Sequence, residues 1–217
     1  MKKKLDTKKM VLLAMIAAIA FLLVALIRIP VVLFLSYEPK DVMITIGGFL
    51  LGPMASFAVS LVVALIEMVT ISTTGPIGAI MNLLSSACFS CTAAYIYKKK
   101  RTLNGAVFGL AAGSVAMIGV MLLWNYLITP LYMTGTSRSD VATMLIPVFL
   151  PFNALKAGFN TALTLLLYKP LVGALRKTGL MEIRQTKPGA SKAGLYLLAA
   201  ALLITCALLL LVYQGKI

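Results

Sequence analysis

Residues 41–53 read DVMITIGGFLLGP, and the fold turns on how this stretch is counted. The apolar piece 41–52 falls short of the roughly 20 residues that a membrane-spanning helix needs, so it cannot cross without help from its neighbours. Longer apolar runs surround it, at about 10–29, 54–71, 76–97, 104–128, 141–168 and 193–213. Of the 217 residues 61% are hydrophobic and 12% charged, far from the balance of a soluble domain. The chain therefore reads as an integral, multi-pass protein of the cell membrane, with the lipid bilayer as its first partner.

Charge decides whether 41–52 crosses. The net charge of +14 could suggest nucleic acid, but its distribution excludes that reading. The basic residues gather at Lys2, Lys3, Lys4, Lys8 and Lys9, then at Lys98 to Arg101, then at Lys169, Arg176, Lys177, Arg184, Lys187 and Lys192. Each cluster flanks an apolar run, as cytoplasmic segments do. The N-terminus is thus expected inside, and the segments 30–40, 72–76 and 133–140 outside. All three clusters reach the cytoplasmic face only if 41–52 is itself a crossing element. The expectation is an all-α integral membrane protein with six helices near 10–29, 41–52, 54–71, 76–97, 104–132 and 141–176. These form a domain over 1–176, followed by a basic cytoplasmic linker over 177–192 and an additional transmembrane helix within 193–217. That last helix has no polar stripe and reads as a lipid-facing appendage. The charged start MKKKLDTKK resembles that of a signal peptide, but no small-residue cleavage motif closes the run at Arg28-Ile29-Pro30, so a retained first helix is expected. Cys88 and Cys91 form a C-x-x-C pair within an apolar run, with no second pair and no His in the chain, and read as small core residues; no metal site is expected.

Polar residues inside the membrane mark a site. Asn153, Lys156 and Asn160 share one helical face by their spacings of three and four. Glu67, within VVALIEMVTIS, would cost about 3 kcal/mol in lipid and must face the bundle interior. Two roles are open to it: a partner within the bundle, such as Lys156, or a contact to ligand. Asn82 and Asn125 are likewise either interhelical hydrogen-bonding residues or ligand contacts. On the expected topology these residues lie in the outer halves of their helices, with Lys40 and Asp41 at the outer mouth, and converge on one outward-facing pocket. Trp124, Tyr126, Tyr132, Phe149 and Phe152 stand around it and offer flat walls for an aromatic ligand, or else ordinary packing. Pro130, Pro147 and Pro151 fall at the same level, where irregular backbone is tolerated if it lines a cavity.

YEPKDVMITIGGFLLGP at 37–53, GPIGAIMNLLSSACFSCTAAYIYKKKR at 75–101, WNYLITPLY at 124–132 and PVFLPFNALKAG at 147–158 resemble successive signature segments of one family. It is the substrate-binding S component of energy-coupling-factor (ECF) vitamin transporters, and the likeness is closest to the riboflavin-specific branch. The resemblance covers roughly 10–176. It implies a six-helix fold that captures a vitamin from outside and works with a transmembrane coupling subunit and a pair of ABC-type ATPases. It also implies ligand contacts at Asn153 and Lys156, a further hydrogen-bonding partner at Asn125, and Asp41 in a loop near the site. Ala14 and Ala18 match the small-residue pattern with which such proteins dock on the coupling subunit. Where riboflavin-type members often carry Lys in the third helix, this chain has Glu67. A phosphate is less welcome beside that carboxylate unless Lys156 offsets it, which favours neutral riboflavin over its phosphate.

The candidate substrate-binding set is therefore Asn153, Lys156, Asn125, Asp41, Glu67, Asn82, Trp124, Phe152 and Tyr132, with no cofactor beyond the transported ligand and no catalytic residue. Riboflavin needs flat walls for its ring and amide-type partners for its polar edge and ribityl chain, and the inventory supplies both. It suits another aromatic vitamin equally well, such as thiamin or a queuosine precursor. A lipid-modifying enzyme would need clustered carboxylates or His, which the chain lacks. A membrane assembly subunit is the remaining alternative, and it would bind no small molecule saturably.

Overall fold

The structure, a computed structural model, describes residues 7–72, 74–133, 135–177 and 192–214. The expected linker lies outside the described residues over 178–191. The elements are α1 (Thr7–Leu26), β1 (Ile29–Val32), β2 (Leu35–Tyr37), α2 (Lys40–Leu51), α3 (Pro53–Thr70), α4 (Gly75–Lys100), α5 (Leu103–Tyr132), α6 (Arg138–Met144), a π-helical turn (Leu145–Phe149), α7 (Leu150–Lys177) and α8 (Lys192–Tyr213). Among the described residues, five helical segments are long and apolar enough to cross a membrane: Thr7–Leu26, Pro53–Thr70, Gly75–Lys100, Leu103–Leu131 and Arg138–Leu171.

The twelve residues of α2 make a rod of about 18 Å, short of a hydrocarbon core about 30 Å thick. Ten of the twelve are buried, because α1, α3, α4 and α7 all pack around this helix. Its surroundings are protein rather than lipid, which is why it tolerates Lys40, Asp41 and Thr45. Gly52, at φ 102°, then reverses the chain in a single residue, and Pro53 starts α3 where an amide donor is not needed. The result is a tight antiparallel pair, α2 against α3.

The segment after α1 departs from the expected helix. Helix α1 stops at Leu26, and Ile29–Val32 pairs antiparallel with Leu35–Tyr37, with an irregularity between Pro30 and Val32. Proline lacks the amide donor for a regular ladder, the β-branched Val31 and Val32 favour extended backbone, and Leu33 closes the turn at φ 51°. The helix expected over 141–176 runs as α6, the π turn and α7. Pro147 and Pro151 carry no amide hydrogen, and the Leu150 amide reaches back five residues to the Leu145 carbonyl, widening the helix where the prolines sit.

Three apolar clusters hold the bundle. One joins α4, α5 and α7 through Phe89, Leu110, Met117 and Leu165, with Phe49 of α2. A second joins α1, α2 and α3 through Leu12, Ile16, Ile44, Ile46 and Val63. The third, Leu35, Val141, Phe149 and Phe152, seats the hairpin on the π turn and α7. Helix α8 packs on α7, where Gly158 lets it approach: a Cβ there would lie 2.5 Å from the Cys206 sulfur. Ala199 and Cys206 are buried in that contact, while Leu197, Leu198, Ile204, Leu208 and Leu209 face outward. At its far end the Gln214 amide donates to the Pro30 carbonyl at 3.0 Å.

Alternating helix directions collect the C-termini of α1, α3 and α5 and the N-termini of α2, α4 and α7 at one end of the bundle, tied by contacts such as Lys40 to Glu67 and Lys156 to Ser85. Lys8, Lys9, Lys98 to Arg101 and Lys169 lie at the opposite end, by their positions in α1, at the end of α4 and in α7.

Candidate functional site

A cleft opens at the first of these ends, between the hairpin and the mouths of α4, α5 and α7. It is lined by Arg28, Phe34, Leu35, Ser36, Glu38, Thr74, Met81, Asn82, Ser85, Met121, Asn125, Phe152, Asn153 and Lys156. Five of the residues singled out from the sequence line it together: Asn82, Asn125, Phe152, Asn153 and Lys156. Asn125 and Asn153 are buried, and each donates its amide to the carbonyl one turn back, Met121 and Phe149 respectively, both at 2.8 Å. Those bonds fix each side chain against its helix. Asn125 also accepts from Thr129 at 3.1 Å.

Two ionic groups reach from the lining into the protein behind it. In the first, the Lys156 ammonium lies 3.4 Å from Asp41 Oδ2 and donates to Ser85 Oγ at 3.1 Å. Asp41 further accepts from Ser86 at 2.5 Å and from the Asn160 amide at 3.0 Å, and Asn160 in turn accepts from the Tyr37 hydroxyl at 3.2 Å. Tyr37, in the hairpin, is pushed well above the usual phenol range by burial and then by the Asp41 charge, so it remains a donor. The second group runs as a chain of alternating charges. Glu67 accepts from Lys40 at 2.7 and 2.6 Å and from the Asn82 amide at 3.0 Å. Lys40 also meets Glu38 at 2.9 Å, and Glu38 meets Arg28 at 3.2 Å.

These pairings correct three expectations. The partner of Glu67 is Lys40 rather than Lys156, because the one-residue turn at Gly52 brings the start of α2 level with the end of α3. Lys40 and Asp41 do not sit at an outer mouth: they are 1% and 0% exposed, since four helices enclose α2. Glu67 is not among the cleft-lining residues and is already matched by Lys40, so its charge gives no argument against a phosphate in the cleft.

The other selected residues are placed as follows. Trp124 packs half-buried against the α4–α5 cluster and is not part of the lining; its indole N–H is buried with no hydrogen-bond partner among the described residues. The side chain of Tyr132 lies outside the described residues. Ala14 and Ala18 are exposed on the outer face of α1, opposite the buried Leu12, Ile16 and Ala20. Cys88, Cys91 and Cys206 are free thiols, and Cys91 reaches the Pro53 carbonyl at 3.5 Å. Sequence reasoning missed Arg28, which falls at the end of the first expected helix but lies beyond α1, Ser36 and Glu38, which stand in a segment treated as a loop, and Ser85, which is about one helical turn beyond Asn82.

Comparison with known proteins bears on what this cleft receives. Residues 8–168 match the family described as "ECF transporter, substrate-specific component". The riboflavin transporter RibU of Staphylococcus aureus (strain TCH60) is 30% identical over 180 residues, spanning 79% of this chain and 94% of that protein. The riboflavin transporter FmnP of Bacillus subtilis (strain 168) is 27% identical over 175 residues, spanning 76% and 92%. A solved structure described as the S component of a bacterial ECF transporter superposes with a TM-score of 0.65 at 31% identity, covering 78% of this chain and 98% of its own.

Proposed function

The chain belongs to the family of ECF transporter substrate-specific components, and from that premise we propose how its cleft serves the task. It is a multi-pass membrane protein, the riboflavin-binding S component of an ECF-type importer. The observation that carries the ligand is the joining of an amide-rich cleft, at one end of the bundle, to sequence likeness with riboflavin transporters along nearly their whole length.

In our reading, Asn82, Asn125, Asn153 and Lys156 address the polar pyrimidine edge and hydroxyls of riboflavin, and Phe152 with the apolar hairpin residues walls its ring. Asp41 and Glu67 act from behind: Asp41 holds the Lys156 ammonium, and Glu67 orients the Asn82 amide. The vitamin enters from outside and leaves inside, with the N-terminus in the cytoplasm, because the cleft lies at the end opposite the basic clusters. We read α1, α2, α3, α4, α5 and the α6–α7 rod as a six-helix binding domain over 1–176, followed by a cytoplasmic linker over 177–192 and α8 as a seventh membrane helix. The exposed Ala14 and Ala18 give α1 a flat face on which a coupling subunit docks, bringing the ATPase pair that powers release.

Uptake tests this reading. In cells that lack their own riboflavin transporter but possess an ECF coupling module, the protein should restore accumulation of labelled riboflavin, and only with the ATPases intact. Accumulation without them would exclude the S-component role. Cysteines placed beside Arg101 should be protected from impermeant reagent outside intact cells; labelling there would invert the topology.

A further inference from the structure

The charges around the cleft are balanced. Arg28, Lys40 and Lys156 face Glu38, Glu67 and Asp41, and every cation is within ion-pair distance of a carboxylate. Two of these cations line the cleft, Arg28 and Lys156, and Glu38 is the carboxylate among the lining residues. The two cations differ in depth: the side chain of Lys156 is 7% exposed and that of Arg28 39%. Arg28 therefore marks the end of the cleft that water reaches. It also approaches the Ile71 carbonyl at 3.5 Å, which holds it at the junction of α1 with the end of α3.

Glu38 is the pivot of this arrangement. Its side chain is 6% exposed and both oxygens are committed, Oε1 to Arg28 and Oε2 to Lys40. A ligand carrying a phosphate would lose much of its water on entry and meet a wall with no unmatched positive charge to replace it. At the wet end, where a doubly charged group would remain, Glu38 already occupies the guanidinium. An uncharged ligand meets no such penalty.

Resting on the riboflavin reading above, we propose that the Arg28–Glu38 pair is a specificity device that admits the neutral vitamin and rejects its 5′-phosphate, with Glu38 as the determinant. Glu38 acts by neutralising Arg28 and Lys40, so removing its charge leaves one cation unmatched at the mouth and creates a place for phosphate. Removing Arg28 instead leaves the surroundings of the cleft with an excess carboxylate and sharpens rejection.

The test is the ratio of Kd for riboflavin 5′-phosphate to Kd for riboflavin, measured by flavin fluorescence on the purified full-length protein in detergent. Glu38→Gln should lower this ratio about tenfold or more, the change that 1.4 kcal/mol produces, and Arg28→Gln should raise it several-fold. A purely structural pair would weaken both ligands alike and leave the ratio unmoved. Ratios within about twofold of the unaltered protein in both variants, or shifts in the same direction, overturn the proposal. If Glu38→Gln does not fold, the half-exposed Arg28→Gln decides alone: a raised ratio supports the device and an unchanged or lowered ratio refutes it. Absence of binding of either flavin by the unaltered protein would overturn the riboflavin reading, and the selector with it.

Discussion

Lys156→Met separates two tasks that one ammonium performs. In the structure Lys156 lines the cleft and also stands against Asp41, which is fully buried. Deleting one partner of a buried ion pair typically costs about 3–5 kcal/mol, because the other charge remains in a medium that cannot solvate it. Asp41 keeps Ser86 and Asn160 as donors, so the loss should fall below that range, at about 2 kcal/mol. The apo protein in detergent should melt at a lower temperature. Riboflavin affinity should fall tenfold or more, since a hydrogen bond from a charged group contributes about 1.5–3 kcal/mol. Adding Asp41→Asn removes the stranded charge while retaining side-chain hydrogen bonding to Ser86 and Asn160. In the double variant the melting temperature should recover and the affinity should not. Recovery of both would mean that Lys156 acts only through Asp41, and its direct role at the ligand would be refuted.

Three further outcomes are expected. Asn153→Ala should weaken riboflavin binding roughly tenfold with little change in apo melting, because the lost bond to the Phe149 carbonyl is local to its own helix; equal loss of stability would make Asn153 a structural residue. Ala14→Trp with Ala18→Trp, both on the exposed face of α1, should abolish uptake in cells and spare binding by the purified protein, and parallel loss of both would refute docking there. Gly158→Val places side-chain atoms against the Cys206 sulfur, so α8 should be pushed away and Cys206 should react faster with a membrane-permeant maleimide; an unchanged rate would show that α8 does not depend on this contact.

Much of the helical frame was legible because length, breakers and charge all bear on it. The apolar runs gave the long helices to within a few residues, and Gly52-Pro53 and Gly75-Pro76 marked two of the boundaries. The basic clusters argued for 41–52 as a crossing element; the structure makes it a separate twelve-residue helix, and its near-complete burial gives the reason it is short and polar at one end. Side-chain pairing was harder to read. Lys40 and Lys156 are both candidates for Glu67 on composition alone. The deciding signal was geometric: Lys40 and Glu67 lie 12 and 15 residues on either side of Gly52, so an antiparallel turn there brings them level. The Asp41–Lys156 contact had no comparable signal, since it depends on how α7 meets α2 across the bundle. The hairpin escaped because it rests on a few extended residues around Leu33, and with it went Arg28 and Glu38. Trp124 is next to Asn125 in sequence but about 100° around the helix, which suffices to turn it from the cleft onto the α4–α5 packing.

Ligand capture by the isolated subunit is the central claim, and a fluorescence titration tests it most directly. Riboflavin added to the purified protein, freed of endogenous flavin, should lose its fluorescence saturably at submicromolar concentration with one site per chain, and excess thiamin or biotin should not displace it. Linear, unsaturable quenching, or displacement by thiamin, would contradict it.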